Sequence, residues 1–126
     1  MKLVASLIGG GLQCPIYIVN QGNYDTHGDQ VVRTDTTTGL HAQLLSDLSE
    51  AIVAFEDDLD RMGMQDKVLG MTFSEFGRRI ASNESHGTDH GTAEAVILFG
   101  SKLKERAFGT LPELPLKPTS TDNMPY

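Results

Sequence analysis

The sequence predicts an α/β domain with a mostly parallel sheet and flanking helices. Three observations lead there. One long stretch carries apolar residues at alternating spacings of four and three, short β-branched runs lie on either side of it, and glycines mark the junctions. The 126 residues fit one domain, 1–126, long enough for a core but short for an enzyme that must enclose a two-metal site. The chain therefore reads as part of a longer protein.

Residues 2 to 8 form a compact apolar pattern ended by Gly9-Gly10-Gly11, as at the tail of a helix stopped by a glycine cap. Pro15 then opens Ile16-Tyr17-Ile18-Val19, a run that meets Asn20, Gly22 and Asn23 and reads as a buried strand ending in a loop. After a threonine-rich stretch from Arg33 to Thr38, the residues Leu44, Leu48, Ile52, Phe55, Leu59 and Met62 define one helical face. Its outer face carries Asp47, Glu50, Asp57, Asp58, Asp60 and Arg61, a solvated acidic surface, and Gly63 is placed for a left-handed stop. Lys67 to Phe73 reads as the next strand, so strand, helix and strand predict a right-handed crossover between parallel strands. A third strand is expected at Ala95-Val96-Ile97-Leu98-Phe99, ended by Gly100. The proline-punctuated segment Leu111 to Pro118 begins an extended tail over 111–126.

Composition narrows the partners. The net charge is −7, and basic residues are scattered apart from Arg78-Arg79 and the run Lys102 to Arg106, which argues against a nucleic-acid surface. No apolar run approaches the roughly 20 residues that span a bilayer, and Met1 to Ile8 is too short for a signal peptide. Cys14 has no second cysteine to pair with and is expected as a small buried hydrophobe.

The chemistry concentrates in Asn23-Tyr24-Asp25-Thr26-His27-Gly28, Ser74-Glu75-Phe76-Gly77-Arg78-Arg79 and Gly87-Thr88-Asp89-His90-Gly91. Asp and neutral His are oxygen and nitrogen ligands suited to zinc or manganese, and a catalytic ion takes about three protein ligands with a position left open. Asp25, His27, Asp89 and His90 would satisfy one such ion. In open parallel sheets ligands bind outside the carboxyl ends of the strands, where both the Asp25 and Glu75 loops would emerge.

Each residue also has a plainer reading. Asp25-Thr26-His27 suits an Asx-type turn, and Gly87 and Gly91 suit ordinary turns. Glu75 is a ligand, a partner that orients a ligand histidine, or an ion-pair partner of Arg78 or Arg79. Arg78 can present its planar fork to a phosphate, sulfate or carboxylate. His86 reads as an exposed loop residue and His41 as exposed or cap-adjacent at the start of the long helix. Ser74 lacks the flanking glycines of a nucleophile elbow, and residues 9–11 lack the spacing of a phosphate loop. Asn83-Glu84-Ser85 matches a glycosylation acceptor in form alone.

Taken together, these motifs resemble the bacterial "domain of unknown function 1501" family, related to the alkaline phosphatase and sulfatase-like superfamily, over nearly the whole chain. The resemblance implies a three-layer alkaline phosphatase-like sandwich, present here in part. It also implies a dinuclear metal site, commonly zinc, that activates a serine or threonine nucleophile against a phosphate or sulfate ester. Asp89-His90 resembles the Asp-His dipeptide that binds metal before a strand in those enzymes. Asp25 and His27 resemble the second pair, separated by one residue where alkaline phosphatases use a wider spacing. The nucleophile and its neighbouring metal-binding Asp belong to an amino-terminal part not seen in this sequence. The resemblance therefore implies a carboxyl-side portion of a longer bacterial protein exported to the periplasm, with Glu75 and Arg78 as catalytic residues and a small anionic ester as substrate.

Two competing classes accompany that reading. One is a non-catalytic binding or surface protein with a structural calcium on Asp25, Asp89 and Glu75, since calcium prefers several oxygens. The other is an excised piece whose uncovered sheet edge drives self-association.

Overall fold

A computed structural model describes residues 1–92, 94–104, 107–109 and 113. Helix α1 (Lys2–Gly9) lies against helix α2 (Leu40–Arg61). Two ladders follow, each of two short antiparallel strands: β1 (Gly70–Met71) pairs with β4 (Leu98–Phe99), and β2 (Gly77–Arg78) pairs with β3 (His90–Gly91).

The apolar stripe of α2 meets α1 through Ala5, Phe55 and Leu59, with Leu59 fully buried. A small residue at position 5 lets the two helices approach, while Met1, Val4, Ile8, Met64, Val68 and Phe99 close the sides of the cluster. The glycine stops expected for both helices are present. Gly11 adopts φ 83° as its N–H donates to Ile8 O, and Gly63 adopts φ 64° while Met64 N–H returns to Leu59 O. At its other end α2 begins after Gly39, whose φ of 124° suits no residue with a side chain. The His41 N–H there donates to Gln30 O at 3.1 Å, so a distant loop supplies the acceptor that a capping side chain would otherwise give.

The mostly parallel sandwich expected from the sequence is not the fold. Both ladders are antiparallel and two residues long, and no strand forms at Ile16-Tyr17-Ile18-Val19. Ile16 is 72% and Ile18 77% exposed. A β-branched run becomes a strand only on a pleated, half-buried surface, and no neighbouring segment offers this run a ladder; without it the strand–helix–strand crossover has no first strand. The second expected strand, Lys67–Phe73, is reduced to β1 and pairs with the third, reduced to β4. Thr72 extends that pairing: its N–H donates to Ile97 O and its Oγ1 accepts from Ile97 N–H, each at 2.9 Å. Cys14 is exposed rather than buried, with its thiol donating to Ile16 O. The tail expected over 111–126 lies outside the described residues apart from Glu113.

Candidate metal centre

With no parallel sheet edge to gather them, the motif residues are brought together by irregular backbone. The β2–β3 ladder sets Arg78 opposite His90 and Gly77 opposite Gly91. A side chain on Gly91 would collide with the Arg78 and Arg79 backbone, and one on Gly87 with the backbone of His27 and Gly28. Both glycines of Gly87-Thr88-Asp89-His90-Gly91 therefore permit close approach between segments, beyond any role in a turn. The Asp25 loop is stitched in by Thr88 N–H donating to Thr26 O, by Asp29 N–H to Ser85 O, and by Gln30 N–H to His86 O. Gln30 Oε1 accepts from the Thr26 hydroxyl at 3.1 Å and from the Thr88 hydroxyl at 2.8 Å, joining the same two segments through side chains.

Left-handed backbone at residues other than glycine occurs at Asn23, Asp29 and His86, with φ of 74°, 49° and 57°. All three border these loops, and all belong to the residue types that tolerate this region best. The Asp25 loop is thus bounded on both sides by sharp reversals, which turn Asp25 and His27 toward the β2–β3 ladder.

There, one carboxylate oxygen gathers three partners. Asp25 Oδ1 lies 3.0 Å from His27 Nδ1, 3.0 Å from His90 Nε2 and 2.9 Å from Arg78 Nη2. Among the described residues, Asp25, His27 and His90 form a group whose donor atoms all lie within 4.8 Å of one another. The 3.0 Å that Asp25 Oδ1 keeps from each imidazole nitrogen is a hydrogen-bond distance, shorter than the roughly 3.4 Å between two ligands of a tetrahedral ion with bonds near 2.1 Å. Two imidazoles and one carboxylate are a donor set for zinc or a similar transition metal, whereas calcium calls for oxygens. By type, the donors suit an ion of the first kind.

The rings are held from behind. Phe76 stacks on His90 with centroids 3.6 Å apart and planes 20° from parallel, while His27 and His90 are tilted against each other at 4.5 Å. Arg78 spreads its guanidinium over Asp25 Oδ1, Tyr24 O at 2.8 Å and Thr88 O, with Phe76 beneath it at 5.4 Å. The Asp25 carboxyl is held below its usual range, first by the hydrogen bond with His90, then by the charge of His27 and the Arg78 contact, against an opposing desolvation. Asp25, His27 and His90 are all exposed, so an ion here would keep positions open to solvent.

Not every expected site residue joins the group. The Asp89 carboxylate turns to Asn83, accepting from its Nδ2 at 3.0 Å, and stands outside the cluster. Glu75 is exposed and also stands outside it; Arg78, one of its two expected ion-pair partners, faces Asp25 and two carbonyls. Ser74 donates its hydroxyl to Phe76 O at 2.6 Å. His86 is half-buried and bridges to Gly28 through the backbone. His41 lies edge-on to Tyr24, whose hydroxyl donates to Leu44 O at 3.0 Å and ties the loop to α2. Burial, and secondarily the charge of Asp47, raises the Tyr24 pKa, so that phenol stays a donor.

Sequence reasoning missed Asn83 and Gln30. Neither belongs to a ligand motif, although an Asn four residues before a glycine that abuts another loop is a signal of an Asn-wound turn.

The fold and the cluster define a small helix-pair protein with a loop-built carboxylate and imidazole site. The chain belongs to the DUF1501 family, described as a protein of unknown function, which matches residues 7–124. No curated protein and no solved structure matches the chain. Among the described residues, no helix is long and apolar enough to cross a membrane.

Proposed function

We propose that this chain carries the metal-binding part of a hydrolase acting on small anionic esters, with zinc or manganese held by Asp25, His27 and His90. The single observation behind this reading is the convergence of both imidazoles on Asp25 Oδ1 at 3.0 Å from segments far apart in sequence. The motif resemblance to alkaline phosphatase and sulfatase-like enzymes supports ester hydrolysis as the reaction class. It also supports placing this chain within a longer protein whose other segments supply the nucleophile.

A bound divalent ion would supply Lewis acidity toward a phosphoryl or sulfuryl oxygen. The chain's own residues hold and orient that centre. Asp25 contributes the negative charge, and His27 and His90 contribute imidazole nitrogens. Phe76 fixes the plane of His90, and Arg78 locks the Asp25 carboxylate by gripping the same loop at Tyr24 O. Arg78 thus serves the site by holding Asp25, and its positive charge adds to the local attraction for an anionic ester.

The test is metal content by elemental analysis after reloading the purified chain with zinc, manganese and calcium separately, for the natural sequence and for His90→Ala and Asp25→Asn. The expected result is one zinc or manganese per chain, lost in both variants, with calcium not retained. Full zinc retention by His90→Ala would remove the reading. Hydrolysis of aryl phosphate and aryl sulfate esters by a longer protein containing this chain would then assign the ester class.

A further inference from the structure

We propose that Asn83, clasped to Asp89, is the positioning residue of this centre, an inference that rests on the metal-binding reading above. The Asn83 Oδ1 accepts the N–H groups of Ser85 at 3.0 Å and Gly87 at 3.1 Å, so the turn is wound around its carboxamide. Those two donors fix which way the amide faces. Its Nδ2 must then point to acceptors, and it finds two: His27 O at 2.9 Å and Asp89 Oδ1 at 3.0 Å. An asparagine amide offers two donor hydrogens and two acceptor lone pairs, and here all of them are used.

The four contacts are not interchangeable. His27 is a ligand of the proposed centre, and Asp89 immediately precedes the ligand His90. One side chain therefore grips the backbone of the first ligand and the carboxylate beside the second, and so sets the distance between segments 56 residues and 6 residues away from it. The backbone of Asn83 tightens the same turn, its N–H donating to Gly87 O at 2.8 Å. That brings Gly87 to the place where it meets His27. Aspartate at 83 would keep both acceptors but lose both donors, and would set a carboxylate against Asp89 and against a carbonyl. Glutamine would carry the amide one methylene too far. Asp89, engaged through Oδ1 in this way, acts through Asn83 and leaves ligation to Asp25, His27 and His90.

The test uses cobalt(II) and zinc(II) as probes, with affinity from calorimetry, coordination from the visible absorption of the cobalt form, and folding from far-ultraviolet circular dichroism. Asn83→Asp should keep its helical signal and bind either ion about 10–100-fold more weakly, the usual cost of losing a group that orients a ligand. The double change Asn83→Asp with Asp89→Asn restores an amide opposite a carboxylate and should regain part of that loss, with the natural cobalt spectrum. Asp89→Asn alone, which keeps the other three contacts of Asn83, should weaken binding less and leave the spectrum unchanged; it remains informative even if Asn83→Asp loosens the turn. Unaltered affinity in Asn83→Asp would overturn the inference while leaving the metal reading in place. A changed spectrum in Asp89→Asn would make Asp89 a ligand and overturn it as well. Absence of any binding by the natural chain would overturn the metal reading itself, and this inference with it.

Discussion

Where α1 meets α2, Ala5, Phe55 and Leu59 are buried against one another, and side-chain hydrogen bonds contribute little to the contact. Around Asp25 the balance is reversed. Thr26 is the buried side chain of that region among the described residues, and order comes from Gln30, Arg78 and Asn83, each bonded to two or more separate residues. Apolar burial is non-directional and tolerates small shifts, whereas an amide or guanidinium with several partners fixes positions to within the tolerance of a hydrogen bond. The first kind of contact suits a scaffold. The second suits side chains whose mutual spacing has to be held.

That contrast can be broken from either side, and the expected losses of stability fall in a definite order. Leu59→Ala strikes the helix pair and should cost about 2–5 kcal/mol, as for other fully buried leucines, read from urea denaturation. Gly87→Ala strikes the loop cluster by forcing a methyl group into the His27 backbone, for about 1–3 kcal/mol of overpacking. Its diagnostic companion is a loss of zinc affinity while the circular dichroism of α2 is retained. Tyr24→Phe weakens the link between the two regions by deleting the hydroxyl donated to Leu44 O, one of several bonds between them, at about 1 kcal/mol. If Tyr24→Phe also lowered zinc affinity as much as Gly87→Ala, the two regions would be one mechanical unit and the comparison would fail.

The smallest expected effect is in the loop before α2. The Asp35 carboxyl is held below its usual range by the Thr37 hydroxyl and then by the Thr37 N–H. A depressed native value means that this contribution is fully present above the ordinary carboxylate pKa and is lost as pH falls through the lower native value. Thermal unfolding followed between pH 5 and the acid limit should therefore show a shallow decline that Asp35→Asn flattens. An unchanged slope in Asp35→Asn would assign the decline to other carboxylates.

The sequence made the helices legible because each is specified locally. Leu44 to Met62 repeats its period over five turns or so, and Gly63 supplies the left-handed stop that the chain uses at φ 64°. The ladders were not legible, because β1 finds its partner nearly thirty residues on at β4, and a two-residue strand carries too little alternation to announce a direction. Ile16 to Val19 misled for a related reason: its composition suits a strand, but composition does not supply a neighbour. At the candidate site, the motifs singled out Asp25, His27, Asp89 and His90, of which the structure groups Asp25, His27 and His90 and leaves Asp89 aside. Asn83 and Gln30 were invisible because their importance lies in how many segments each one touches, a property of the folded chain. Asp89 looked equivalent to its neighbour His90 in sequence and differs in space, since it lies just before β3 and its carboxylate accepts from Asn83.

Asp25 and His90 are 65 residues apart along the chain, yet their side chains are in contact. An ion seated between them would close a loop that includes the whole of α2, and the entropy of closing such a loop grows only slowly with its length. Occupancy would then show as mass action on the melting curve, adding about 2.7 kcal/mol at a hundredfold excess over the dissociation constant. With an ion bound as proposed, the exposed cluster would act as a reversible cross-link between residues 25 and 90.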